Sequence, residues 1–327
     1  MWGVNTVLRC AVISLALVVS ATSSQAADDC PPLKAIWLDL IATPKGYLVP
    51  VSVAGTSRYF LLDLGAAFSK IDKSVAEELS LPTKSIPPAV KISDSYGDFA
   101  SYAIAPTLAF GDVPRKNMQL LIDPYGHHSD PRTSGTLAMN SLMPFDIELD
   151  LGANKLGLFL PKHCEGPDAL VHWPNQGVGA AHIVVEELGT ILLPMTLDGV
   201  KIEASIDTLS EVSWMSTSAA HILMGLNEEA ANQIASPNSD TPGGLPAYPF
   251  KTLTADGVTI SNPAIHFYRS PALCGGLSGR SMEEIRNQRC FGVADVALGF
   301  RALRHLHMFF SFGEKMVYFT AATPAPQ

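Results

Sequence analysis

The sequence predicts a mainly-β protein made of two equivalent lobes, and three observations carry that prediction. First, residues 47–79, YLVPVSVAGTSRYFLLDLGAAFSKIDKSVAEEL, return as residues 191–223, ILLPMTLDGVKIEASIDTLSEVSWMSTSAAHIL. Leu48 falls on Leu192, Pro50 on Pro194, Gly55 on Gly199, Asp63 on Asp207 and Leu79 on Leu223, at a constant spacing of 144 residues. Second, residues 136–159 run parallel to 297–319, with Leu137 on Leu298, Leu142 on Leu303 and Gly152 on Gly313, now 161 residues apart, so the second copy carries 17 extra residues. A period this long, present twice, indicates two homologous lobes; a solenoid needs many short repeats. Third, short alternating apolar runs bounded by turn residues outnumber helical stretches.

Residues 1–26 read as a secretory signal: Arg9 in a short start, an apolar core over 10–19, and a small-residue exit at Ser24-Gln25-Ala26. The apolar core is shorter than the roughly 20 residues a spanning helix requires. The expectation is an exported, periplasmic or secreted monomer with no membrane contact after cleavage. The mature chain divides into a first lobe over 27–165, a connection over 166–185 marked by Pro167, Pro174, Gly177 and Gly179, and a second lobe over 186–327. A net charge of −9 offers no electrostatic footprint for phosphate backbones, so nucleic acid is not an expected partner.

Cys10 leaves with the signal, and Cys30, Cys164, Cys274 and Cys290 remain, with three possible pairings. Their placement favours Cys30 with Cys164, bracketing the first lobe, and Cys274 with Cys290, closing a loop in the second; four free thiols are the alternative. No two of them have the close spacing of a zinc site, so no metal is expected.

In chain order, residues 47–53 and 59–63 read as strands joined at Ala54-Gly55. In the second copy Asp198-Gly199 is a strong turn dipeptide. Beyond it Val200, Ile202, Ala204 and Ile206 alternate with Lys201, Glu203, Ser205 and Asp207, which puts Asp207 on the polar phase at the strand's end. Short helices start at Asp72 and at Ser216 or Ser218, each a candidate N-cap. Residues 90–110 alternate irregularly around Ser95-Tyr96-Gly97-Asp98, a projecting hairpin tip. His127 and His128 are adjacent in a loop and cannot share a strand face. His305 and His307 would share one, and read as ordinary surface or core histidines. Ser278, among Gly275, Gly276 and Gly279, lacks the spacing of a nucleophile elbow, and the glycines lack the lysine of a phosphate loop.

Two segments carry a resemblance. Phe60-Leu61-Leu62-Asp63-Leu64-Gly65-Ala66 with Leu137-Ala138-Met139, and Ser205-Ile206-Asp207-Thr208-Leu209-Ser210 with Leu298-Gly299-Phe300, each resemble the unit of the retropepsin-type aspartic peptidases, the family of pepsin-like and retroviral proteases. The resemblance implies two pseudo-symmetric closed β-barrel lobes with a cleft between them. It implies that Asp63 and Asp207 meet at the lobe interface and share one water and one proton, supported by Gly65, Ala66, Thr208 and Ser210. It further implies a flap carrying Tyr96 and Gly97, a peptide or protein substrate in the cleft, and no metal or organic cofactor.

The chemistry comes from the pairing. Two carboxylates about 4 Å apart repel by about 4 kcal/mol at an effective dielectric near 20, equivalent to about three pKa units. One therefore keeps its proton while the other is ionised, which supplies an acid and a base to the same site. Two positions depart from the family pattern. Leu64 stands where a threonine or serine hydroxyl is expected, and Leu209 stands where glycine is expected, a substitution that threatens overpacking and an unfavourable backbone angle. The residues thus support two functions: an aspartic endopeptidase, or a catalytically silent peptide- or protein-binding module on the same fold.

Overall fold

The computed structural model describes residues 33–94, 97–126, 130–186, 189–235, 246–269, 281, 284 and 294–322. Each lobe opens with the hairpin that the repeat predicts. Gly46–Val53 pairs with Thr56–Asp63, and Ile191–Leu197 with Val200–Asp207. Both loops have two residues at positive φ: Ala54 (48°) and Gly55 (83°), then Asp198 (46°) and Gly199 (86°). Turns of this hand match the twist of their strands. Asp198 reinforces its turn by accepting backbone N–H bonds from Lys251 and Thr252, both at 2.8 Å. Alanine has no such side chain, so the first turn holds Ala54 in the left-handed region at a cost of about 1 kcal/mol.

The second strand of each hairpin ends on its carboxylate beside a parallel strand from later in the lobe. Thr133–Ala138 runs along Thr56–Asp63 with Ala138 opposite Asp63, and Val296–Gly299 along Val200–Asp207 with Gly299 opposite Asp207. Parallel strands are covered on both faces, and all six residues of Thr133–Ala138 are buried. Lys70–Asp72 and Ser213–Ser216 then pair antiparallel with the same two strands, at equivalent registers.

In the first lobe Ser101–Phe110 pairs with Val113–Asp123 and returns to Gly46–Val53, which closes six strands into a barrel packed with Phe60, Leu62, Leu108, Phe110 and Leu120. The second-lobe sheet curls over Ile202, Ala204, Met215, Leu253 and Phe267; among the described residues it stays an open half-barrel between Val258–Ser261 and Ile265–Tyr268. Helices Lys73–Glu78 and Thr217–Met224 come after the carboxylate loops. Ser216 caps its helix by accepting from the Ala219 N–H at 3.0 Å, whereas Asp72 occupies the N-cap position without a side-chain cap bond.

A six-stranded sheet joins the lobes, in the order Ala35–Asp39, Lys155–Phe159, Asp146–Asp150, Leu306–Ser311, Met316–Ala321 and Gly179–His182. At its centre Glu148 lies opposite Phe309. These two residues are 161 apart, the spacing of the second repeat, so the pseudo-twofold axis runs through this pair. Ile147, Leu149, Met308 and Phe310 join the main core. The buried Asp146 and Glu148 are met by histidines instead: His163 Nε2 lies 2.6 Å from Asp146, and His307 Nε2 lies 2.7 Å from Glu148 beneath the stacked ring of Trp173. His307 is thus a core residue of the lobe seam. His305 sits before the strand begins, so the two histidines do not share a strand face as the sequence suggested. No helix among the described residues is long and apolar enough to cross a membrane.

Candidate active site

Both predicted acids end their strands in the same backbone cradle. Asp63 Oδ1 accepts the Gly65 N–H at 3.1 Å, and the Ala66 N–H also bonds this carboxylate. Asp207 Oδ1 accepts from Leu209 at 3.1 Å and Ser210 at 3.0 Å. The segments after the parallel strands hold the loops in place. Met139 and Asn140 donate to the carbonyls of Ala66 and Ala67 (3.2 and 3.1 Å), and Phe300 and Arg301 donate to those of Ser210 and Glu211 (2.8 and 3.0 Å). Beneath each loop a serine accepts a backbone N–H: Ser69 Oγ from Ala138 at 2.8 Å and Ser213 Oγ from Gly299 at 3.2 Å. Sequence reasoning missed these two serines, although they hold equivalent positions in the repeat six residues after each acid.

The two loops touch through Thr208. Its fully buried hydroxyl accepts the Leu64 N–H at 3.0 Å and donates to the Leu62 carbonyl at 2.7 Å, so one side chain of the second lobe fixes the backbone on both sides of Asp63. Leu64 cannot return the exchange, and its side chain is wholly buried. Gly65 comes close to the other loop: a Cβ there would lie 3.1 Å from the Ile206 carbonyl and 3.7 Å from the Asp207 Cα. The backbone strain expected at Leu209 is not found. Neither Gly65 nor Leu209 has a positive φ, so leucine meets no backbone conflict. Its side chain turns toward Gly46, where an added Cβ would meet Leu209 Cδ2 at 3.7 Å.

Asp63 is 6% exposed. Burial, and then the charge of Asp207, push its carboxyl up to about 7, against the opposing pull of Lys70 and of the Gly65 and Ala66 amides. A carboxyl so placed carries a proton over most of the acidic range. Ser93–Asp94 and Gly97–Asp98 form the predicted two-stranded hairpin, with Gly97 exposed at φ 134°. Tyr96 lies outside the described residues, as do His127, His128 and Ser278. Cys30, Cys274 and Cys290 also fall outside, so the two expected pairings stay expectations. No group of three or more His, Cys, Asp or Glu able to hold a metal ion occurs among the described residues.

Residues 49–155 match the family model described as aspartyl protease. That span contains the Asp63 loop and Leu137-Ala138-Met139, and stops before the second lobe. Among solved structures, the crystal structure of basic 7S globulin from soybean is similar over 90% of this chain and 100% of that one, with a TM-score of 0.50 at 11% identity. A comparison with curated proteins finds no match. The first lobe thus resembles the aspartyl protease family in sequence over residues 49–155, and the likeness to the solved structure is one of two-lobed fold alone.

Proposed function

We propose that this chain is an exported aspartic endopeptidase that hydrolyses peptide bonds of an extended substrate held between the lobes, with Asp63 and Asp207 as the catalytic pair. The observation that carries the proposal is the environment of Asp63: buried, cradled by two amides, and held protonated to about pH 7 by burial and the charge of Asp207. In this reading Asp207 takes a proton from the attacking water as its oxygen adds to the peptide carbonyl, and Asp63 gives its proton to the carbonyl oxygen. Collapse of the tetrahedral intermediate returns a proton to the departing amine. Gly65, Ala66, Leu209 and Ser210 orient the carboxylates through their amides, and Thr208 keeps the loops in contact. Export rests on residues 1–26 alone.

Leu64 favours the second reading, a silent binding module, because it leaves the junction of the loops with one bridging hydroxyl in place of two. The readings separate when the purified protein and its Asp63→Asn variant are incubated with a peptide library from pH 3 to 7. The enzyme cleaves and the variant loses at least about a thousandfold in rate, a loss in the range of removing an essential catalytic group. Identical blank traces from both proteins would leave the binding module.

A further inference from the structure

Lys70 stands seven residues after Asp63, on the strand Lys70–Asp72. The same place in the second copy holds Trp214: Lys70 pairs with Thr136 and Trp214 with Ala297, at matching registers. One lobe therefore puts a cation where the other puts an indole. The lysine side chain is only 16% exposed, and its Nζ lies 3.0 Å from Asp94 Oδ2 in the hairpin and 5.8 Å from the centre of the Phe99 ring. An ammonium is expensive to bury without a partner, and here the partner comes from the hairpin, with an aromatic face in support.

We propose that Lys70 is a positioning residue of the site, tying the hairpin of Ser93–Asp94 and Gly97–Asp98 to the strand that comes after Asp63 while holding positive charge against the Asp63 carboxyl. The inference rests on the reading of Asp63 and Asp207 as a working pair. The charged groups involved form one alternating series. Asp94 faces Lys70 from the hairpin, Lys70 opposes the protonation of Asp63, and Asp207 promotes it from the other lobe. A change at either end is felt at the other: a substrate that displaces Asp94 from Lys70 leaves the ammonium less compensated, and Asp63 then holds its proton less tightly.

The series predicts opposite effects for two substitutions that break the same ion pair. Lys70→Met removes the cation, so the titration midpoint of the Asp63 carboxyl carbon, measured by NMR, rises by about one pH unit, the lower end of the effect of an adjacent opposite charge. Asp94→Asn removes the compensating anion and lowers that midpoint. Both loosen the hairpin and raise KM for peptide several-fold with a smaller change in kcat, and Lys70→Arg restores both midpoint and KM. A lysine that merely filled space would leave the midpoint unmoved in Lys70→Met, or move it in the same direction as Asp94→Asn; either result overturns the proposal. Should Lys70→Met not fold, Asp94→Asn decides alone: a lowered midpoint supports the proposal and an unchanged or raised one rejects it. If the wild-type protein cleaves no peptide, the endopeptidase reading fails while the midpoints still judge Lys70.

Discussion

The first carboxylate loop reads Asp63-Leu64-Gly65-Ala66 and the second Asp207-Thr208-Leu209-Ser210, yet the backbone around them repeats the same hydrogen bonds. Each acid draws on the amides two and three residues ahead, and each loop is held by the same pair of main-chain donors. The differences lie in everything that depends on a side chain. The bridging hydroxyl survives only in the second copy, the close-packing glycine only in the first, and the cation only beside Asp63. A cradle made of amides tolerates changes of sequence, whereas a bridge made of one hydroxyl does not, and two lobes built alike need only one of each device where they meet.

That contrast can be broken experimentally. The largest effect concerns Asp63 itself. Its pKa in the folded protein is raised from 3.8 to about 7, chiefly by burial. The folded state therefore holds a proton that the unfolded chain releases once pH exceeds its ordinary value. Stability is highest below about pH 4, declines as pH rises towards 7 and levels off above, a loss on the order of 4 kcal/mol at 1.36 kcal/mol per pKa unit. Denaturant titrations from pH 4 to 8 should show this slope in the wild type and a much flatter profile in Asp63→Asn. A smaller effect tests the bridge. Thr208→Val keeps the shape of the side chain and leaves the Leu64 N–H and the Leu62 carbonyl unpaired, with an expected loss of about 2 to 3 kcal/mol in denaturant unfolding. The smallest compares the two turns: Ala54→Asn gives the first hairpin a residue that accepts positive φ, and should raise stability by about 1 kcal/mol.

Much of this arrangement is legible in the sequence because it is local or repeated. Alternation along Val200–Asp207, the Asp198-Gly199 dipeptide and the strict spacing of Asp63 and Asp207 place the hairpins and both acids, since each depends on a few adjacent residues. The central sheet is not legible, because it arises from pairing Asp146–Asp150 with Leu306–Ser311 across the whole chain. The burial of Asp146 and Glu148 is hidden for the same reason: acids on an alternating strand read as solvent-facing until distant histidines are known to cover them. Leu209 looks like a threat against the family pattern, but its backbone angle, invisible in a sequence, removes that objection. Lys70 and the two serines give no local signal because their roles lie in contacts with residues 24 to 86 positions away.

The central claim is that Asp63 and Asp207 act on each other across the lobe interface. It is tested most directly by monitoring the Asp63 carboxyl carbon through a pH titration in the wild type and in Asp207→Asn. The account predicts a midpoint near 7 in the wild type and a clear downward shift when the neighbouring charge is removed. A midpoint in the ordinary carboxylate range near 4, unchanged by Asp207→Asn, would contradict it.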